Sequence, residues 1–419
     1  MQTKKLIIIL AIGCFIFLAM AAGGVWVLYS FYTGSIYGYK PPQTPAQLKE
    51  PRVVQGAEFL SRSQFIKINA LETGTGIGDI QHVAVGELDS HPGLDVVVAG
   101  DYGAIVVDRD GKKQSQIQYQ FETEQQQTEP FSSQTRQTML GDLQVIDIEG
   151  DGVCEYLARG SLDGAAVFDH QGKRLWAYGK FTEEKTAIDD MTAGDLDGDG
   201  IDEFVASWVS IEAFDRHGER KWQQPEEHSD TQIEIVDTDG DGKNEIVSCT
   251  GTLRVRNAEG QIIKKIDVPV YLGHFSLITL PGKKEPSIMG IEDGILWFID
   301  FNGKVAAQFN APLSKFDDTV NEGIAGQTIG TDVYKAKGVW VKFAKEQPEY
   351  LAVITEFAAI DRSVLYIYDQ TGKIIYQEVL PEQCLSLTVL SPEDQANVQK
   401  LLVSGERTIW KYTISGSGA

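Results

Sequence analysis

A short acidic line rich in glycine recurs along this chain, and an internal repeat constrains a fold more tightly than any single motif. Asp195-Leu-Asp-Gly-Asp-Gly-Ile-Asp-Glu203 is followed by FVASW, SIEAFD, the turn Arg216-His-Gly-Glu219 and RKW. Its neighbour runs Asp237-Thr-Asp-Gly-Asp-Gly-Lys-Asn-Glu245, IVSCT, LRVRN, Ala258-Glu-Gly-Gln261 and IIKKI. The preceding copy has Asp147-Ile-Glu-Gly-Asp-Gly-Val-Cys-Glu155, YLARG, AAVFD, His170-Gln-Gly-Lys173 and RLWAY. A first, eroded copy has GELDSHPGLDVVVAG, AIVVD and Arg109-Asp-Gly-Lys112.

Within each copy, short β-branched and aromatic runs alternate with Gly/Asp turns, the pattern of consecutive strands joined by hairpins. The turn glycines Gly111, Gly172, Gly218, Gly260, Gly303 and Gly372 mark six copies, at steps of 61, 46, 42, 43 and 69 residues. A unit of about 42 residues holds four strands, the size of one propeller blade. The two long steps imply insertions, near Gln114–Gln137 and near Gly326–Glu349. A seventh, unmarked copy fits after Leu380 as LSLTVL, KLLVSG and RTIWKYTI, which supplies only three strands. An orphan strand at about 64–71 would supply the fourth and close the ring. The expectation is therefore an all-β propeller of seven four-stranded blades over residues 63–415, with six or eight as neighbouring counts. A linear β-solenoid is the rival, disfavoured because units of this length are long for solenoid coils.

On these lines the sequence resembles the FG-GAP/VCBS repeat family, the propeller type of the integrin alpha-chain head and of many bacterial surface proteins. The resemblance covers residues from about 80 to 310, and the last hundred follow it only in strand rhythm. The D-x-x-G-K-x-x-W turns are also similar, more loosely, to quinoprotein-like propeller repeats. The first resemblance implies a ring that binds ligands on the face around its channel.

The acidic lines have the donor spacing of an EF-hand-like calcium loop: oxygens at positions 1, 3, 5, 7 (backbone) and 9, with glycine at 6 for the turn. That assigns Asp195, Asp197, Asp199, the Ile201 carbonyl and Glu203 to one loop. It assigns Asp237, Asp239, Asp241, the Lys243 carbonyl and Glu245 to the next, and Asp147, Glu149, Asp151, the Val153 carbonyl and Glu155 to the one before. Gly152, Gly200 and Gly242 fall at position 6. Three carboxylates packed so closely repel one another unless a cation sits between them, and an all-oxygen site favours Ca²⁺. About three structural ions are expected, with dissociation constants on the order of 10⁻⁴ to 10⁻³ M. The alternative is an unliganded Asx-turn hairpin, which needs only one or two such side chains. The first copy matches only at Glu87, Asp89 and Asp95, so no metal is assigned there; LPGKKEPS, AKEQPEY and SPEDQANV have lost the loop.

Acidic residues outnumber basic ones 60 to 37, a formal charge of −23, which excludes a nucleic-acid backbone as the main partner. Ahead of the repeats, Lys4 and Lys5 precede the uncharged run Leu6–Tyr32. As a helix this run is about 40 Å long, against about 30 Å of hydrocarbon in a bilayer. Residues 1–5 then read as a cytoplasmic end, 6–32 as a single-pass anchor in the lipid bilayer, and 33–62 as an extended Pro-containing tether. The propeller is placed outside the cytoplasm, periplasmic or extracellular, ahead of a short tail at 416–419. A cleaved signal peptide is the alternative, with Ala19-Met20-Ala21 as its cleavage site.

No catalytic motif stands out. The six histidines are scattered, Gly74-Thr-Gly-Ile-Gly78 lacks a phosphate-loop lysine, and the four cysteines form neither a CxxC nor an adjacent pair. The segments leading into the first strands of the blades, by contrast, are repeatedly acidic: Asp79, Asp189, Asp190, Asp230, Asp317 and Asp318. A carboxylate ring there would draw a basic ligand to the channel mouth, whereas solvated turn chemistry explains the same residues blandly. The functional expectation is a non-catalytic protein-interaction module. The alternatives are a glycan-binding or glycan-cleaving propeller and, behind it, a quinone-dependent oxidoreductase.

Overall fold

The computed structural model of the chain describes residues 52–68, 76–88, 94–118 without 102, 140–160, 164–179, 188–225 without 208–209, 232–249, 252–314 without 271 and 273, 321–322, 328–329, 335–357, 362–391 and 398–415. The expected anchor at 6–32 and most of the tether lie outside these residues. Among the described residues no helix is long and apolar enough to cross a membrane. The chain divides into two compact units, one of Met1–Ala46 with Phe316–Asp332, the other of Gln47–Lys315 with Val333–Ala419. In the first unit the described part is a short antiparallel pair, Asn321–Glu322 with Thr328–Ile329.

The second unit is a seven-bladed β-propeller. Its antiparallel sheets begin with the strands Ile80–Gly86, Leu140–Ile146, Asp190–Gly194, Gln232–Val236, Ser276–Ile278, Ala336–Val341 and Cys384–Leu390. These first strands approach one another around the ring, and side chains bridge them. Gln144 donates to the Ala193 carbonyl at 3.0 Å and accepts from its amide at 3.0 Å. Gln232 does the same to Phe275, at 2.8 and 2.9 Å. Ser386 Oγ donates to the Val83 carbonyl at 3.2 Å, between the last blade and the first.

Middle strands are covered by a neighbouring blade on each face, so their sequences run apolar without alternation, as in Asp95–Gly100 (DVVVAG) and Glu203–Ser207 (EFVAS), buried throughout. The core is accordingly a series of inter-blade layers. Val97 and Ala99 of the first blade pack with Tyr156 and Phe168 of the second, and Val167 of the second with Phe204 and Phe214 of the third. At the outer edge the turn glycine of one blade takes the aromatic of the blade before it. A Cβ on Gly260 would lie 2.5 Å from the Trp222 ring, and one on Gly218 2.8 Å from Trp176. The turn also holds Gly260 at φ +78°, so glycine is required there twice over.

The ring closes by pairing Leu60–Lys67 with Thr408–Ile414. The closing strand thus begins at Leu60, earlier than the 64–71 placement, inside the stretch read as tether. A second piece of that stretch, Arg52–Gln55, adds a fifth strand to the sixth blade by pairing with Ile374–Val379. Closure is reinforced by a buried polar knot: Glu378, 2% exposed, accepts from the Tyr376 and Tyr412 hydroxyls at 2.8 Å each and pairs with Arg62 of the closing strand. Arg62 also lies over the Trp410 ring at 4.7 Å. The insertion placed near Gly326–Glu349 is displaced as well, because Ala336–Val341 is the first strand of the sixth blade.

Candidate metal loops and the opposite rim

Antiparallel pairing sends the first-to-second-strand loops and the third-to-fourth-strand turns to one rim of the ring. The turns share one bond pattern: Asp108, Asp169, Asp215, Asp300 and Asp369, and Asn257 in the fourth blade, each accept at the main-chain carbonyl from the turn glycine at 2.8–3.0 Å.

The three acidic loops also share one geometry. The first aspartate is an internal cap. Asp195 accepts from Gly198 N at 2.7 Å and Gly200 N at 3.0 Å; Asp237 accepts from Gly240 N at 2.7 Å and Gly242 N at 2.9 Å; Asp147 accepts from Gly150 N and Gly152 N at 2.8 Å each. The position-6 glycines take φ of 86–87°, with open space around an added Cβ, so their requirement is conformational rather than steric. The fifth-position aspartate accepts from the amide two residues on, at 2.8 Å in every copy. The position-9 glutamate is buried, and one of its oxygens caps the second amide of the loop: Glu155 to Ile148 N at 3.0 Å, Glu203 to Leu196 N at 3.0 Å, Glu245 to Thr238 N at 2.9 Å. Asp95 retains that bond to Leu88 N at 3.3 Å in the eroded first copy.

Carboxylate oxygens converge at two loops. Those of Asp195, Asp197 and Asp199 lie within 4.8 Å of one another, as do those of Asp237, Asp239 and Glu245. Among the described residues Asp147, Glu149 and Asp151 do not form such a group. The donor set is all oxygen and fits a hard divalent cation. Charge crowding is visible in the ionisation of the loops. Burial pushes the Glu155 carboxyl up, the Ile148 amide opposes it, and the charges of Glu149, Asp151 and Asp147 add to the rise. Burial, then the charges of Asp195 and Glu203, raises Asp202 in the same way. Asp237 goes the other way: desolvation, the largest single effect, raises it, but the amides of Gly242, Gly240, Asp239 and Asp241 together outweigh that and hold its carboxyl below the usual range. One further participant was invisible in the repeat pattern. Lys221 Nζ lies 2.7 Å from Asp197 Oδ2 and 2.8 Å from Glu203 Oε1.

At the opposite rim only part of the expected acidic set, Asp79, Asp189 and Asp190, falls within the described residues. Asp230, Asp317 and Asp318 lie outside the described residues. Asp190 is buried in a structural network: Oδ1 pairs with Arg159 at 2.9 Å and accepts from Met191 N at 2.8 Å, and Oδ2 accepts from Ile233 N of the next blade at 2.8 Å. Asp79 pairs with Arg407 at 3.4 Å. Asp189 keeps a buried Oδ2 without a hydrogen-bond partner, while its carbonyl accepts from Arg159 at 2.6 Å. Basic groups share this rim. Lys335 pairs with Glu356 at 3.7 Å. Burial first, then Lys335, Lys337 and Arg159, pushes His274 down to about 4. At its described positions this rim carries basic as well as acidic groups. The Trp340 indole donates to the Thr279 carbonyl at 2.9 Å.

No family model matches the sequence, and no curated protein matches it. Among solved structures, 868 chains match the fold, so the likeness specifies architecture and no particular partner. One is a crystal structure of BBS1N in complex with ARL6DN, soaked with lead, at 11% identity and a TM-score of 0.57, covering 87% of this chain and 99% of that one. A mercury-soaked crystal of the same complex gives 10% identity and a TM-score of 0.54, covering 88% and 99%. These likenesses establish a β-propeller fold for the chain.

Proposed function

We propose that this chain is a calcium-binding β-propeller of FG-GAP/VCBS type, a non-catalytic protein-interaction module tethered outside the cytoplasm by residues 6–32. The observation that carries the reading is the thrice-repeated loop in which every first aspartate and every ninth glutamate is committed to the same amides. A turn built identically three times at one rim reads as a structural metal loop, with calcium stiffening the connection between the first two strands of a blade. The paired charges of Asp79 and Asp190 at the other rim read as architecture, which leaves the ring as a rigid platform for a partner. A similar propeller, BBS1N, has been crystallised in complex with ARL6DN, which supports the interaction reading by analogy of fold.

The test is cross-linking of the full chain in native membranes with and without chelator, followed by affinity capture and mass spectrometry. A stoichiometric protein partner whose recovery falls in chelator supports the reading. Recovery of the propeller alone under both conditions refutes the interaction role and directs attention to soluble ligands such as glycans.

A further inference from the structure

Lys221 is an acidic-loop neighbour that differs in kind from its counterparts in the adjoining blades. In the second, third and fourth blades the outer strand carries a β-bulge against the third strand: the register slips between Arg174 and Trp176, between Arg220 and Trp222, and between Ile262 and Lys264. The extra residue is Leu175, Lys221 and Ile263 respectively. A bulge re-aims the side chain it carries. In the third blade it aims an ammonium into the blade's own acidic loop, where Nζ bonds Asp197 Oδ2 at 2.7 Å and Glu203 Oε1 at 2.8 Å. Those two residues occupy positions 3 and 9, two of the side-chain ligand positions of a calcium loop. In the second and fourth blades the same place holds an exposed aliphatic side chain, Leu175 at 44% and Ile263 at 58% exposure. No lysine or arginine is paired with Asp237, Asp239 or Glu245 among the described residues, although their oxygens converge within 4.8 Å.

We propose that Lys221 is the resident counter-ion of the third-blade loop, so that this loop is neutralised from within the chain and does not take up the calcium that its neighbours bind. The inference rests on the calcium reading of the loops and refines it: three loops of near-identical sequence differ in ion occupancy because of one bulge residue. The ammonium spans the positions that would otherwise close on the ion, and a divalent cation entering the loop would have to expel it against like-charge repulsion.

Native mass spectrometry of the full chain in detergent, titrated with calcium, reads the occupancy directly. Lys221→Met imitates the aliphatic residue that the neighbouring blades already tolerate, so it leaves the fold intact. The variant is expected to bind one ion more than the wild type, and adding Asp195→Asn to it returns the count to the wild-type value. Equal counts in wild type and Lys221→Met overturn the inference while leaving calcium at the other loops standing. Failure of both proteins to bind any ion overturns the calcium reading and the inference with it.

Discussion

Asp190 offers a sharp test of how the third and fourth blades are joined. Substituting alanine leaves the Met191 and Ile233 amides without the acceptor they now have at 2.8 Å, a cost of about 1–3 kcal/mol for each buried group. Arg159 loses the carboxylate at 2.9 Å but keeps the Asp189 carbonyl at 2.6 Å, and with its side chain 21% exposed water recovers part of the loss. The sum is about 3–5 kcal/mol. A chain of this size loses roughly 2 °C of melting temperature per kcal/mol, so Asp190→Ala should melt roughly 6–10 °C below wild type by differential scanning calorimetry in detergent. Asp190→Asn keeps the volume and one acceptor and should show about half that loss. A melt within about 1 °C of wild type for the alanine variant would refute the buried network and return Asp190 to the solvated rim.

Three other expectations follow from the geometry. Glu378→Ala strands two buried tyrosine hydroxyls and Arg62 at the seam where the ring closes, at a cost of about 3–5 kcal/mol; limited proteolysis should then cut first at the closing strand, and wild-type resistance would contradict the seam. Gly260→Ala meets both the left-handed turn and the Trp222 ring and should cost about 2–4 kcal/mol in urea unfolding, from αL strain plus overpacking, while an unchanged midpoint would show that the ring moves aside freely. His274 is pushed down from 6.5 to about 4, so the unfolded chain takes up the proton first as pH falls. The contribution is complete above pH 6.5 and lost as pH falls through 4; His274→Gln should flatten that part of the stability profile, and an unaltered profile would discount the burial.

The propeller could be inferred because its information is local. The turn glycines, the acidic lines and the unalternating middle strands each need only a few residues, and together they set the blade spacing. Even the rhythm of KLLVSG and RTIWKYTI sufficed for Lys400–Gly405 and Thr408–Ile414. What escaped was tertiary. Arg52–Gln55 is too short and too close to prolines to announce a strand, and it exists because the sixth blade has an edge to cover. The doublet Asp189-Asp190 looked like turn chemistry, yet Asp190 begins a strand and is buried there. Lys221 was one basic residue in RKW until the bulge gave it a direction.

The central claim is that the loops of this ring hold calcium, and thermal unfolding of the full chain across a calcium series tests it most directly. With dissociation constants on the order of 10⁻⁴ to 10⁻³ M, about 10 mM calcium stabilises the native state by about 1.4–2.7 kcal/mol per occupied loop. The account predicts a melting temperature that climbs with calcium, returns to its starting value in chelator, and climbs less when Asp237 and Asp239 are both changed to asparagine. A melt that is the same in calcium and in chelator would contradict it.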